Sequence, residues 1–236
     1  MNKKLLLLAL VGTISSASAD SYNQNVTAIF GSGNPNTGWT TDTGSGLTLA
    51  LRGKNRHPAT STANVNGVYS FATGTIPPAN NRAVWNWEFS ASSGTAPLTA
   101  YDYYIGIDID ASQGVNYQYV NALTFWTDNE FGTAATANGA GLTPAQGALA
   151  PSNYTVFQNS QNIVFGPANG NPLIDGTYEY ELFAVQAGAG LGGARLAEVD
   201  ITVVVGAGGA RVPDAGSTAM LLGTGLLGLA GLRRKL

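Results

Sequence analysis

Apolar and polar residues alternate in several stretches of the chain. In "YDYYIGIDID" the apolar positions are Tyr101, Tyr103, Ile105, Ile107 and Ile109, with Asp102, Asp108 and Asp110 among the residues between them. A period of two is the mark of a strand with one buried face. "VWNWEF" sets Trp85, Trp87 and Phe89 against Asn86 and Glu88, and "TYEYELFAV" sets Tyr178, Tyr180 and Leu182 against Glu179 and Glu181. "AEVDITVVV" carries Val199, Ile201, Val203 and Val205 on one side. Weaker strand patterns are "QNVTAIF", "GLTLAL", "GVYSFA", "YQYVNALTFW" and the pair "YTVFQ" and "NIVFG", which "NSQ" joins as a hairpin.

Clusters of Gly, Asn, Pro, Ser and Thr such as "GSGNPNTG" and "FGPANGNPLIDG" separate these runs as turns. No part of the body sustains a 3.6-residue period, and no internal repeat is visible. Roughly eight to ten short strands with turn chemistry between them predict an all-β fold: a single antiparallel β-sandwich, either immunoglobulin-like or jelly-roll. "FGTAATANGAGLTPAQGALAPSN", Phe131 to Asn153, reads as a long exposed loop. The expected organisation is a signal peptide over 1–19, a β-sandwich body over 20–205, a flexible Gly-rich linker over 206–211 and a C-terminal hydrophobic segment over 212–236.

Composition narrows the function classes. Charged residues are 11% of the chain, against about 25% in an ordinary globular protein. Between Asp20 and Arg211 six basic residues face thirteen acidic ones, so the body carries a net charge of about −7. Nucleic-acid binding rests on Lys and Arg neutralising phosphates, so nucleic acid is not an expected partner. There are no cysteines, which removes disulfides, thiolate metal sites and a cysteine nucleophile. At the N-terminus, Lys3 and Lys4 precede an apolar run from Leu5 to Val11 and then small residues at Ala17 and Ala19. This is the plan of a secretory signal that signal peptidase cleaves after Ala19.

The inventory for catalysis is thin. His57 is the single histidine, lies in the polar run "RGKNRHPATS" and has no G-x-S-x-G elbow beside it. One histidine and no cysteine also make a catalytic zinc improbable, so the body is expected to be non-enzymatic. Glu88, Asp108, Asp110, Asp128 and Glu130 form the carboxylate pool a glycoside hydrolase would draw on, but strand alternation puts most of them on a solvated outer face. Asp108, Asp110, Asp128 and Glu130 are also weak calcium candidates, offering hard oxygen ligands in "DIDASQG" and "TDNEFG"; calcium would only stabilise. No cofactor is otherwise expected. Aromatic rings suit sugar faces, and Trp39 in "NTGWTTDTG" reads as the exposed one, a weak glycan candidate; Trp85 and Trp87 read as core. A secreted carbohydrate-binding module is therefore the alternative function.

The chain ends "VPDAGSTAMLLGTGLLGLAGLRRKL". Ala219 to Leu232 is uncharged but only 14 residues long, short of the roughly 20 a membrane-spanning helix needs. Gly223, Gly225, Gly228 and Gly231 weaken it further as a helix, and Arg233, Arg234 and Lys235 set its topology with the basic end in the cytoplasm. A segment built this way suits brief parking in the membrane better than permanent anchoring.

This stretch resembles the VPDSG-CTERM sorting signal, a variant of the PEP-CTERM class. The matching positions are Val212, Pro213, Asp214 and Gly216, followed by the apolar stretch and the basic end; Ala215 stands where the family has Ser. The resemblance implies a protein exported by a bacterium with an outer membrane. Its tag would be held transiently in the inner membrane and cleaved by an exosortase-like membrane transpeptidase. Cargo of that family is associated with the cell surface, extracellular polysaccharide and biofilm matrix, so extracellular polysaccharide is an implied partner. A sortase substrate would need an L-P-x-T-G motif, which is absent, and a GPI signal would lack the basic end.

Overall fold

The computed structural model describes residues 19–76 and 81–209. Twelve strands occur among them: β1 (Ser21–Gln24), β2 (Trp39–Gly44), β3 (Leu47–Asn55), β4 (Thr60–Ser61), β5 (Val68–Phe71), β6 (Trp85–Ser92), β7 (Tyr101–Asp108), β8 (Tyr117–Asn121), β9 (Glu130–Gly132), β10 (Val156–Gln161), β11 (Gly176–Gln186) and β12 (Ala197–Val205). One sheet runs β1-β2-β3-β6-β10-β9 with β4 added to β3, and the other runs β5-β12-β11-β7-β8. The longest α-helix among the described residues is the single turn α1 (Ala122–Phe125), and no described helix is long and apolar enough to cross a membrane.

The alternating strands do what their period requires. Leu47, Leu49 and Leu51 of β3 and Trp85, Trp87, Phe89 and Ala91 of β6 meet Tyr103, Ile105 and Ile107 of β7, Tyr178, Tyr180 and Leu182 of β11 and Val199, Ile201, Val203 and Val205 of β12 in one buried cluster. The two sheets thus face each other across an aromatic layer, in which Trp87 stacks on Tyr180 at 4.7 Å and Phe71 on Trp85 at 5.6 Å. Gly53 permits this closeness, because a Cβ there would stand 2.7 Å from Phe71 Cε2.

The pairing is antiparallel with one departure: β5 runs parallel to β12, Val68 opposite Thr202 through Phe71 opposite Val205. The connection from β5 back to β12 crosses most of the chain, so no hairpin dictates direction there.

The large sheet is covered on its second face too. "QNVTAIF" is not a strand beyond Gln24; residues 26–38 instead lie over the sheet. Ala28, Phe30, Trp39 and Ala50 form a second small core there. Side chains of the sheet hold the layer's backbone: Gln158 Oε1 accepts from Ile29 N (2.8 Å), Gln158 Nε2 donates to Thr27 O (2.8 Å), and Arg52 Nη1 donates to Pro35 O (2.7 Å) and Thr37 O (2.8 Å). A second layer, from the stretch expected as a long exposed loop, is fastened to the first by Gly139 N to Ala28 O (2.9 Å) and Gly141 N to Ile29 O (2.8 Å). That stretch contains the end of β9 and two short 3-10 turns, and Phe131 is buried.

Two further expectations change. β10 runs unbroken through "NSQ", so "YTVFQ" and "NIVFG" are not a hairpin; the chain turns after it, where Phe165 N donates to Asn162 O (2.8 Å). "YQYVNALTFW" is strand only to Asn121 and then folds into α1. The first linker residues are fastened down: Gly206 N donates to Phe71 O (2.9 Å) and Gly209 N to Thr177 Oγ1 (2.9 Å).

Candidate functional site

Where β8 ends, Asn121 caps α1 by accepting Leu123 N on its side chain (3.1 Å), and Asn129 Nδ2 ties the turn down by donating to Ala122 O (2.8 Å). The capped turn presents Phe125 and Trp126 side by side, their rings 5.0 Å apart and nearly perpendicular. Trp126 is anchored from beneath by the rings of Phe89 (5.3 Å) and Trp87 (5.9 Å). Opposite stands the end of β10 and the following turn, with Ser160, Gln161, Phe165 and Gly166. With Asp128 these residues line an open pocket of about 330 Å³.

The pocket's polar side is fixed by Asn159. Its Nδ2 donates to Asp128 Oδ1 (3.0 Å) and Asn129 Oδ1 (3.0 Å), while its Oδ1 accepts from Gln161 Nε2 (2.9 Å) and Ser160 N (2.7 Å). Ser160 Oγ donates to Glu88 Oε1 (2.8 Å). The guanidinium of Arg82 covers one face of Phe165 at 4.1 Å. Aromatic surface and oriented polar groups therefore meet in one concavity, the usual composition of a small-molecule site.

Glu88 is not solvated, contrary to the strand-face reading. It is fully buried and bonded to Arg52 Nε (2.7 Å) and Lys54 Nζ (2.8 Å), under the layer formed by residues 26–38. Trp39 is also buried, at 0% exposure, with the Arg52 guanidinium 4.1 Å from its ring. A ring so enclosed has no face for a sugar, and the expectation that Trp39 is exposed is overturned.

The calcium candidates do not converge. Asp108 ends β7 and Asp110 stands two residues beyond it, where they brace a turn: Asp108 Oδ1 accepts from Asp110 N (3.3 Å) and Asn116 N (3.2 Å), and Asp110 Oδ1 accepts from Ser112 N (2.8 Å). Burial raises the Asp108 carboxyl above its ordinary range. Asp128 and Glu130 belong to the other sheet's β9 region, and burial raises Glu130 as well.

The described carboxylates that do gather are Glu181, Glu198 and Asp200 on the outer face of β11 and β12. Arg195 bridges Glu181 and Glu198, and Tyr119 Oη donates to Glu181 Oε2 (2.7 Å). Burial, then repulsion from neighbouring carboxylates, pushes Asp200 up to about 6; burial and a hydrogen bond with Glu181 push Glu198 up to about 7. The cluster already holds its own counterion in Arg195, and sequence periodicity had marked these residues only as an outer face. His57 is exposed in a turn.

Ala19 is exposed at the start of the described residues. Ala17, the motif residues Val212, Pro213, Asp214 and Gly216, and Arg233, Arg234 and Lys235 lie outside them. The VPDSG-CTERM motif family matches the chain at residues 211–236. The chain thus carries a tag of a class of sorting signals processed by exosortase-like enzymes. No curated protein and no solved structure matches it.

Proposed function

We propose that this is an exported, non-enzymatic protein of the cell surface or extracellular matrix, sorted through its C-terminal tag. In this reading signal peptidase cleaves after Ala19, the two-sheet body folds outside the cytoplasm, and the apolar stretch from Ala219 to Leu232 holds the chain briefly in the inner membrane. An exosortase-like transpeptidase then reads Val212, Pro213, Asp214 and Gly216 and cleaves. The observation that carries the reading is the motif match over residues 211–236, joined to a basic end that keeps the terminus cytoplasmic.

The non-enzymatic part draws support from how the body's charged groups are used. Glu88 is held between Arg52 and Lys54, Glu181 and Glu198 share Arg195, and Asp108 and Asp110 brace a turn. A general acid or base needs freedom to exchange a proton with substrate, and these groups are committed elsewhere. The test is a Pro213→Ala/Asp214→Ala double variant, followed by fractionation and mass spectrometry of the C-terminus. The expected result is a normally folded body retained in the membrane fraction with Leu236 intact; surface delivery with normal cleavage overturns the sorting role.

A further inference from the structure

We propose that the pocket between Phe125, Trp126 and Phe165 binds a pyranose ring of an extracellular glycan. The inference stands on the body alone and does not rest on the tag.

Its first support is that aromatic exposure here is built in. Phe125 is 47% exposed although it sits on a turn capped by Asn121 and tied by Asn129. The chain contains four tryptophans; Trp39, Trp85 and Trp87 are buried at 0–2% exposure, and Trp126 alone is only partly buried. Leaving such surface in water forgoes about 25 cal/mol for each Å², and the rings around it are too well held for the exposure to be fraying.

The second support is the chemistry alongside the rings. A pyranose has an apolar C–H face, which packs on an aromatic ring, and a belt of hydroxyls that each donate and accept. Asp128 and Gln161 stand around the same 330 Å³ space, and Asn159 fixes the orientation of both; Ser160 lines the space too, but its hydroxyl is engaged with Glu88 and Asn86. Asp128 spends one oxygen on Asn159, and among the described residues its second oxygen has no protein partner. A wholly apolar ligand would strip water from these groups without replacing its hydrogen bonds. A phosphate or other anion would meet the Asp128 carboxylate and a body of net charge about −7, and the Arg82 guanidinium nearby is laid over the face of Phe165. A neutral polyol ring satisfies both halves of the pocket. The volume lies at the lower end for small-ligand sites and the pocket is open to solvent, so a short stretch of a longer glycan fits with its ends outside.

The test uses the full chain in a detergent that carries no sugar headgroup. Glucose, galactose, mannose, N-acetylglucosamine and the β-1,4-linked disaccharides of glucose and of N-acetylglucosamine are titrated, with tryptophan fluorescence and calorimetry as readouts. The expected result is a saturable shift in tryptophan emission, matched by calorimetric heat, with at least one of these sugars. Phe125→Ala should weaken that binding at least tenfold with an unchanged melting temperature, and Leu173→Ala, at an exposed apolar residue elsewhere, should leave it unchanged. Should Phe125→Ala fold poorly, Asp128→Asn takes its place and carries the same expected loss. No saturable signal from any of the six sugars overturns the proposal. So does affinity that survives both variants, or binding of indole where no sugar binds.

Discussion

Replacing Glu88 by Gln should strongly destabilise the body while leaving its shape almost unchanged. Glu88 is the single negative charge between two buried cations: Arg52 has a fully buried side chain and Lys54 a side chain 5% exposed. The amide keeps the side chain's size and can still accept the Ser160 hydroxyl that now bonds Glu88 Oε1 at 2.8 Å. Arg52 also keeps its bonds to Pro35 O and Thr37 O and its place against Trp39, so the covering layer loses none of its backbone partners. What changes is charge and one acceptor: a buried group of net +1 becomes net +2 with no anion, and the amide nitrogen in place of Oε2 cannot accept from Arg52 Nε. Breaking a buried ion pair by removing one partner costs about 3–5 kcal/mol. For a domain of this size about 1 kcal/mol moves the melting temperature by roughly 2–4 °C, so the expected fall is about 6–20 °C. Lys54→Met instead leaves a neutral Arg52–Glu88 pair and should cost less than half as much. Urea unfolding followed by circular dichroism measures both. A Glu88→Gln midpoint within about 1 kcal/mol of the parent, or a larger loss for Lys54→Met, refutes the view that charge balance holds this face together.

Gly53→Ala should cost about 1–3 kcal/mol by overpacking, since the new methyl would stand 2.7 Å from Phe71 Cε2 and 3.1 Å from Tyr69 Cβ; an unchanged urea midpoint would show that the two sheets have slack there. On the acidic outer face, Asp20 and Asp200 are raised to about 6 and Glu198 to about 7, chiefly by burial. The folded state therefore holds protons that the unfolded chain has released. Stability from these groups is present at low pH and falls as pH rises from about 4 to about 7. Asp200→Asn should accordingly stabilise the body at pH 8 and have little effect at about pH 3, where the carboxyl is protonated in the folded and unfolded chain alike; equal effects at both pH values in urea unfolding would contradict this.

Period two in the sequence was enough to place β6, β7, β11 and β12 and the core residues they share. It says that a strand's two faces differ, but not what covers the second one. Glu88 alternates with Trp87 and Phe89 as a solvated residue would, yet it is buried because residues 26–38 fold over it. That layer has no period of its own to reveal it. Its backbone is satisfied by Gln158, which is 129 residues from Ile29, and by Arg52, so its conformation is set by contacts distant in sequence. Trp39 was misjudged for the same reason, its polar neighbours suggesting a surface that the layer removes. β10 was split because Asn159 and Gln161 look like turn residues; in the fold they lie on the core side of the strand and hydrogen-bond with each other and with Asp128 and Asn129.

The pocket and the tag differ in the same way. The pocket needs Phe125 to Asp128, Ser160 and Gln161, Phe165 and Gly166 and, above Phe165, Arg82 to be brought together by three turns, so no single stretch announces it. The tag acts as a linear segment, and its motif, apolar run and basic end are contiguous. The tag nevertheless starts close to the body, because the linker is held against it. The linker's composition suggests a short flexible segment, but Gly206 and Gly209 are bonded to Phe71 and Thr177, and a Cβ on Gly209 would lie 2.0 Å from Ala111 O. Val212 is three residues beyond Gly209, at most about 11 Å away at full extension. An enzyme that reads Val212, Pro213, Asp214 and Gly216 on the folded protein must therefore work against the edge of the body where β5 and β12 end. The glycines are conserving space at that edge as much as supplying freedom.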